Sequence, residues 1–514
     1  MDYTALYSDN DDDERNDLLL PNGLSSKGKA PTSSFSSGFT LRNCSAWAKR
    51  NKVILIVVAV VIICIIAVTV IPVVILHYKP IQVLSDNCST DGARLVSVAL
   101  EGTMAFSKLS TMCISFGNRL SGSSSLEQAI TWIQEQMTAD GLDNVQTQPV
   151  MVTHWVRGNE YASIQLPYTK KMNILGLGGS VNTSSNGITA DAIVVSSFED
   201  LTINYPNCTG KIVVFNAPFT NYSATVSYRS GGASAAAACG AIAALVRSVT
   251  PFSLGTPHTG TLHYDEAHPK IPCAAITLED ADLLQGIFNM NKTIQINLYM
   301  EAQTMPQLAA SRNVMGEVTG SDLPEQVVVI GGHVDSWDVG QGAVDDGVGI
   351  MVAWEAVRLI KSLGITPRRT IRVVGWTNEE NGAAGGQAYA ESHLNETFFS
   401  IETDNGATQP LGFAVQGASS ATMRALQKLS DEVLMDLGAN NITTGDSGED
   451  NSFLIVPNKI PGANMVVNMT QYFWYHHSEG DAIDKVNPKE MDQCVATLAS
   501  MALCIANFNG DLPS

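Results

Sequence analysis

The chain has 514 residues, 45% of them hydrophobic and 16% charged, with 50 acidic against 30 basic side chains and a formal charge of -20. That length accommodates several domains with ample cores, and the apolar fraction excludes disorder as a general description. A field this negative repels phosphate, so no nucleic-acid partner is expected.

Residues 1–52 carry seven acids and seven bases and read as a cytosolic tail. Beyond the acidic cluster at residues 11–14, Glu14, Leu18 and Leu19 form an acidic dileucine pattern, and Tyr3 with Leu6 forms a tyrosine-based one upstream. Both resemble endolysosomal sorting signals, the alternative being an ordinary disordered acidic tail.

Residues 53–76 contain no charged side chain. As a helix rising about 1.5 Å per residue they would span roughly 36 Å, enough for a bilayer core of about 30 Å. A cleaved signal peptide would instead show an apolar region of about 7 to 15 residues close to the start, so a transmembrane signal-anchor is predicted. Lys27, Lys29, Arg42, Lys49, Arg50 and Lys52 precede this run, while Lys79 and Arg94 follow it. That imbalance places the N-terminus in the cytosol. The expectation is a single-pass type II membrane protein whose remainder is lumenal or extracellular, in the endosome or lysosome or, alternatively, at the cell surface. Sequons agree with that sidedness: Asn87, Asn182, Asn207, Asn221, Asn291, Asn395, Asn441 and Asn468 follow the run, and only Asn43 precedes it.

After a linker at 77–92, residues 93–160 are predicted to be a helical portion, on apolar spacing such as Leu126, Ala129, Ile130, Ile133 and Met137. Residues 161–304 alternate short Val- and Ile-rich runs with Gly, Asn and Ser turns, predicting a β-rich inserted segment with one Ala-rich helix at about residues 231–246. Within residues 305–510, strands alternate with helices from Val327 onward, predicting an α/β fold with a central, mostly parallel sheet flanked by helices. Nine cysteines are too sparse for a disulfide-dense scaffold, and their spacing does not give a pairing.

Several apolar runs in the last segment end in ligand-type side chains. Residues 326–330 precede His333 and Asp335, 370–374 precede Glu379 and Glu380, and 399–403 precede Asp404. A fourth run, 463–468, precedes His476, His477 and Asp481, while a Gly-rich loop carries Asp345 and Asp346. Any one of these residues alone is ordinary. Placed together at strand ends they converge on one crevice, because open α/β sheets bind ligands beyond the carboxyl ends of their strands. Imidazole and carboxylate donors without cysteine suit zinc held for hydrolysis.

In the order H-x-D, D-D-G, E-E, D-N-G and H-S-x-x-D, these residues resemble the M28 family of co-catalytic di-zinc peptidases, and the resemblance spans about residues 93–510. It implies two Zn2+ per chain, with His333 and Asp404 on one, Glu380 and His477 on the other and Asp345 bridging them. It also implies that Asp335 orients His333, that Glu379 is the general base, and that the Asp345–Asp346 peptide is cis. The activity implied is hydrolysis of small peptides, as a carboxypeptidase or dipeptidase or, alternatively, as an aminopeptidase. A non-enzymatic receptor of the same fold is the reading from another class, and relatives of this kind are often homodimers. Two further roles follow from the resemblance: His476 stands where related members place a Tyr thought to stabilise the oxyanion, and Asp450 could meet a substrate amine or be a simple loop carboxylate. If the sidedness is right, glycosidase treatment will increase electrophoretic mobility, and unchanged mobility would contradict it.

Overall fold

The computed structural model describes residues 87–458 and 460–512. The tail with Tyr3, Leu6, Glu14, Leu18 and Leu19, the apolar run at 53–76 and most of the linker lie outside them. Among the described residues no helix is long and apolar enough to cross a membrane.

Three helices open the described chain: α1 (Asn87–Leu100), α2 (Ala105–Phe116) and α3 (Ser124–Ala139). The Ser123 hydroxyl caps α3 by accepting from the Leu126 N–H, and Leu126, Ala129, Ile130, Ile133 and Met137 form its buried face as their spacing predicts. Residues 93–160 are not helical throughout, however. Asp143–Val152 is a strand, β1, at one edge of the main sheet. Pro149 is tolerated there because an edge strand pairs on one side only.

The inserted segment builds its own eight-stranded sheet. Its centre is parallel, running through Ile188–Val195, Ile212–Phe215, Ala243–Arg247 and Cys273–Ile276. Parallel neighbours need crossovers: the helices Phe198–Asn204 and α4 (Tyr222–Ala238) supply two, residues 248–272 make the third without a helix, and a further helix, Leu278–Asn289, follows the last of these strands. The segment is therefore α/β rather than β-rich with one helix. The Ala-rich helix begins earlier than expected and ends at Ala238, Gly240 turns the chain at φ +90°, and residues 243–247 are a strand. Periodicity could not separate the two, because residues 231–246 are small or apolar apart from Ser234.

The main sheet continues with β2 (Ala309–Val318), β3 (Leu323–His333), β4 (Arg369–Trp376), β5 (Thr397–Glu402), β6 (Pro410–Gln416), β7 (Asn441–Thr444) and β8 (Gly462–Val467). Its order is β1-β2-β4-β3-β5-β8-β6-β7. The run β4-β3-β5-β8 is parallel, as is the β6-β7 pair, whereas β1-β2, β2-β4 and β6-β8 are antiparallel. The sheet is thus mixed, with its parallel ladder in the middle. The order in which the chain adds strands reverses at β3, since β4 lies on one side of it and β5 on the other. The carboxyl ends of these strands meet at that switch point.

Helices cover the sheet: α5 (Val348–Ser362), α6 (Ala384–His393), α7 (Ser420–Leu434), α8 (Glu449–Ile455) and α9 (Pro488–Ala506). α5 is buried nearly all round, and its one fully buried charge, Glu355, is paired with Arg358 at 2.7 Å and Lys108 at 3.2 Å. Pairing of this kind offsets the cost of taking a carboxylate out of water.

Disulfides join Cys88 to Cys504 and Cys208 to Cys239, while Cys113, Cys273 and Cys494 are buried thiols. Two bridges accord with folding in an oxidising compartment. Of the sequon residues, Asn182, Asn207, Asn221, Asn291, Asn395, Asn441 and Asn468 are exposed. The Cys88–Cys504 bridge ties the first described helix to the last one. Replacing either cysteine by Ser is expected to cost about 2–5 kcal/mol, read as a lower denaturant midpoint. An unchanged midpoint would show that this tether adds no stability.

Candidate metal centre

Four strand ends and one loop deliver the polar cluster. His333 is the last residue of β3, Glu379 and Glu380 follow β4 by a turn in which Asn378 adopts φ +71°, and Asp404 lies two residues beyond β5. After β8 the chain makes a short helix, Tyr472–Tyr475, and then presents His476 and His477. The loop between β3 and α5 brings Asp345 into the middle, through a cis Asp345–Asp346 peptide.

The distances define two halves that share one carboxylate. His333 Nε2 faces Asp345 Oδ1 at 3.4 Å, Asp404 Oδ1 at 3.6 Å and Glu379 Oε2 at 3.8 Å. His477 Nε2 lies 3.2 Å from Asp345 Oδ2 and 3.1 Å from Glu380 Oε2. Yet His333 Nε2, Asp345 Oδ2 and Asp404 Oδ1 are buried without a hydrogen-bond partner. Buried polar atoms that converge unpaired are what a cation needs and what a protein core otherwise avoids.

The electrostatics point the same way. Burial, followed by the charges of neighbouring carboxylates, pushes Glu379 and Glu380 well above the usual carboxylate range, and burial raises Asp404 too. Asp345 moves oppositely: burial opposes ionisation, but His476, His333 and His477 hold it well below that range. His476 is held well below the usual imidazole range by burial and by His477.

Supporting groups fix the loop. Asp481 accepts from three consecutive backbone N–H groups, of Ala343 at 2.9 Å, Val344 at 2.6 Å and Asp345 at 3.2 Å. Arg119, fully buried, donates to the carbonyls of Val334, Gln341 and Gly342, each at 2.8 Å. Asp346 is spent on backbone: its carboxylate accepts from His333 N at 3.1 Å and Gly349 N at 3.0 Å. Gly332 and Gly349 leave it that space, since a Cβ on either would fall on its oxygens. Sequence reasoning assigned no role to Arg119 and left Asp346 without one.

The structure brings together all five residues expected as ligands: His333, Asp345, Glu380, Asp404 and His477. Asp335 meets His333 differently from the expectation. His333 Nδ1 donates to the Asp335 carbonyl at 2.9 Å, while the Asp335 carboxylate is 3.7 Å away and accepts instead from Glu379 N and Ser121 Oγ, both at 3.1 Å. His476 stacks on His477 with ring centroids 3.5 Å apart, and its Nε2 is 3.5 Å from Asp345 Oδ2. Asp450 is only 1% exposed, and one of its oxygens is taken by Gly386 N at 3.0 Å. Glu379 is the charged neighbour it feels most, so it sits packed within the site's wall rather than on an open face.

The inserted segment also reaches the centre. His258 Nδ1 donates to the His476 carbonyl at 2.6 Å, Thr259 N to the His477 carbonyl at 2.9 Å, and Thr261 Oγ1 to the Glu380 carbonyl at 2.7 Å. From α4, Arg229 lies 3.3 Å from His477 Nδ1 and donates to Tyr222 Oη at 3.0 Å.

Residues 313–502, which hold every one of the expected ligands, match peptidase family M28. The chain is 42% identical to carboxypeptidase Q of Bos taurus over 412 residues, covering 80% of this chain and 86% of the relative. The chain belongs to peptidase family M28. Its similarity to carboxypeptidase Q of Homo sapiens is 40% over 433 residues, covering 83% and 91% of the two chains. Among solved structures, a peptidase M28 precursor from Shewanella amazonensis superimposes with a TM-score of 0.79 at 32% identity, covering 84% of this chain and 99% of the other. A zinc aminopeptidase from Bacillus subtilis shares the fold, with a TM-score of 0.57 at 20% identity, covering 77% and 93%. This M28 chain is a metallopeptidase, and its imidazole and carboxylate donors suit zinc. Asp481→Ala would leave three buried N–H groups unpaired. A loss of at least about 2 kcal/mol is expected from denaturant unfolding, and none would mean that the loop holds itself.

Proposed function

We propose that the chain is a membrane-anchored exopeptidase that uses two zinc ions to hydrolyse small peptides, as a carboxypeptidase or dipeptidase. One observation carries the two-metal part: Asp345 turns one oxygen to His333 and the other to His477, so two groups of donors share a single carboxylate. His333 with Asp404 would hold one ion and Glu380 with His477 the other. Bound zinc would supply Lewis acidity to the substrate carbonyl and to the attacking water. Glu379, whose Oε2 reaches into the cluster and whose backbone is fixed by Asp335, would take the proton from that water and deliver it to the leaving amine. His476, whose Nε2 lies 3.5 Å from Asp345 Oδ2, would donate to the oxyanion.

The carboxypeptidase preference rests on the names of the relatives and on Arg229. This buried cation, with an unpartnered Nε and its Nη1 3.3 Å from His477 Nδ1, could receive a substrate carboxylate. An aminopeptidase with the same metal core is the alternative, favoured by the fold neighbours. Anchoring by residues 53–76, type II sidedness and endolysosomal sorting rest on the apolar run, the basic residues before it and the tail motifs.

Glu379→Gln is expected to lower the rate by about a hundred- to ten-thousand-fold while leaving metal content unchanged. Equal rates on every dipeptide tested would overturn the mechanism. A panel of dipeptides with blocked ends sorts the activities. Loss of cleavage on blocking only the carboxyl supports a carboxypeptidase, on blocking either end a dipeptidase, and on blocking only the amine an aminopeptidase.

A further inference from the structure

The two halves of the cluster are supported from different places. On the His333 side, the hydrogen-bonded supports come from outside the insert: Asp346 holds the His333 N–H, the Asp335 carbonyl holds Nδ1, Arg119 and Ser121 hold Val334 and Asp335, and Thr403 N beside Asp404 donates to the Gly331 carbonyl at 2.9 Å. On the other side, His477 lies beyond the end of a short helix, in a left-handed conformation at φ +60° that a side-chain-bearing residue seldom adopts without help.

That help comes from residues 258–261 of the insert. Thr259 closes a reciprocal pair with His477: its N–H donates to the His477 carbonyl at 2.9 Å, and its own carbonyl lies 3.3 Å from His477 Nδ1. That carbonyl can only accept and Arg229 Nη1, also 3.3 Å from Nδ1, can only donate, so the ring is held between two insert groups while Nε2 faces Asp345 and Glu380. His258 Nδ1 fastens the preceding carbonyl, and the Thr261 hydroxyl fastens the carbonyl of Glu380. Within the main segment, the Glu380 side chain has only Trp337 N, at 3.2 Å, on its Oε1.

The strip is itself tied into the insert. Thr259 Oγ1 donates to the Gly176 carbonyl at 2.8 Å, His258 N donates to Ser248 Oγ at 2.8 Å, and Gly178 bonds on both sides of Thr261, to Gly260 O and from Leu262 N. His258 and Thr259 are both buried.

We propose that residues 258–261 are a positioning element for one metal position only, that of Glu380 and His477, so that the insert governs its occupancy while the rest of the catalytic segment maintains the position of His333 and Asp404 without it. The inference rests on the two-metal reading above. His258, Thr259 and Thr261 touch no substrate in this role; they act through the backbone and ring orientation of the residues they hold. Outer partners of this kind change metal affinity by about ten- to a hundredfold when removed.

The test is titration of the full, metal-stripped chain with zinc against a chromophoric chelator. Wild type should bind two equivalents, and fewer than two would overturn the two-metal reading itself. Thr261→Val, which deletes one hydroxyl at constant volume, should bind its first equivalent as wild type does and its second about ten- to a hundredfold more weakly. Thr261→Ser should restore the second. His258→Gln provides an independent variant with the same expectation, and it decides the matter if Thr261→Val does not fold. Two equivalents bound with wild-type affinities by the folded variants, or equal weakening of both, would overturn the proposal.

Discussion

Asp345, Glu379, Glu380 and Asp404 turn carboxyl oxygens into one buried space, and groups of like charge do not assemble there unaided. Repulsion and lost hydration both oppose the arrangement, which is why burial and neighbouring charge raise Glu379, Glu380 and Asp404 together. The two imidazoles meet only part of this demand, because their Nε2 atoms approach carboxylates at 3.1 to 3.6 Å without bonding them well. A divalent metal of the kind these donors suit would resolve the conflict. The rest of the molecule can be understood as the apparatus that holds these donors apart until cations arrive.

That apparatus works largely through backbone. Arg119 and Asp481 do not point into the cluster; they hold the loop carrying Asp345, one by donating to its carbonyls and the other by collecting its N–H groups. Asp346 stands between β3 and the start of α5 and bonds to the main chain of both. The parallel ladder contributes the common direction in which His333, Glu379 and Asp404 emerge. Because β4 and β5 flank β3, side chains from three strand ends meet without any long loop having to order itself. The insert completes the ring from the other side through His258, Thr259 and Thr261.

Much of this was legible in the residue pattern because strands and ligands carry local signals. Short apolar runs each ending in His, Glu or Asp gave the strand ends, and the spacing of Leu126 to Met137 gave the buried face of α3. What the pattern did not show is equally physical. Pro149 argues against a strand unless the strand is known to be an edge, and edges are a property of topology. Residues 231–246, which span the end of that helix and most of the strand, are small or apolar apart from Ser234, so no periodicity divides them at Gly240. Supports such as Arg119 and Thr261 aim at carbonyls far away in the chain, and a carbonyl leaves no trace in the identity of the residue that offers it. Asp335 illustrates the same limit, since the part of it nearest His333 Nδ1 is its main chain.

The most direct measurement is anomalous diffraction at the zinc absorption edge from crystals of the zinc-loaded protein. Two peaks about 3.5–4 Å apart are expected, one on each side of the Asp345 carboxylate, with His333 and Asp404 on one and Glu380 and His477 on the other. A single peak, or zinc bound away from Asp345, would contradict a cluster built to be held together by two cations.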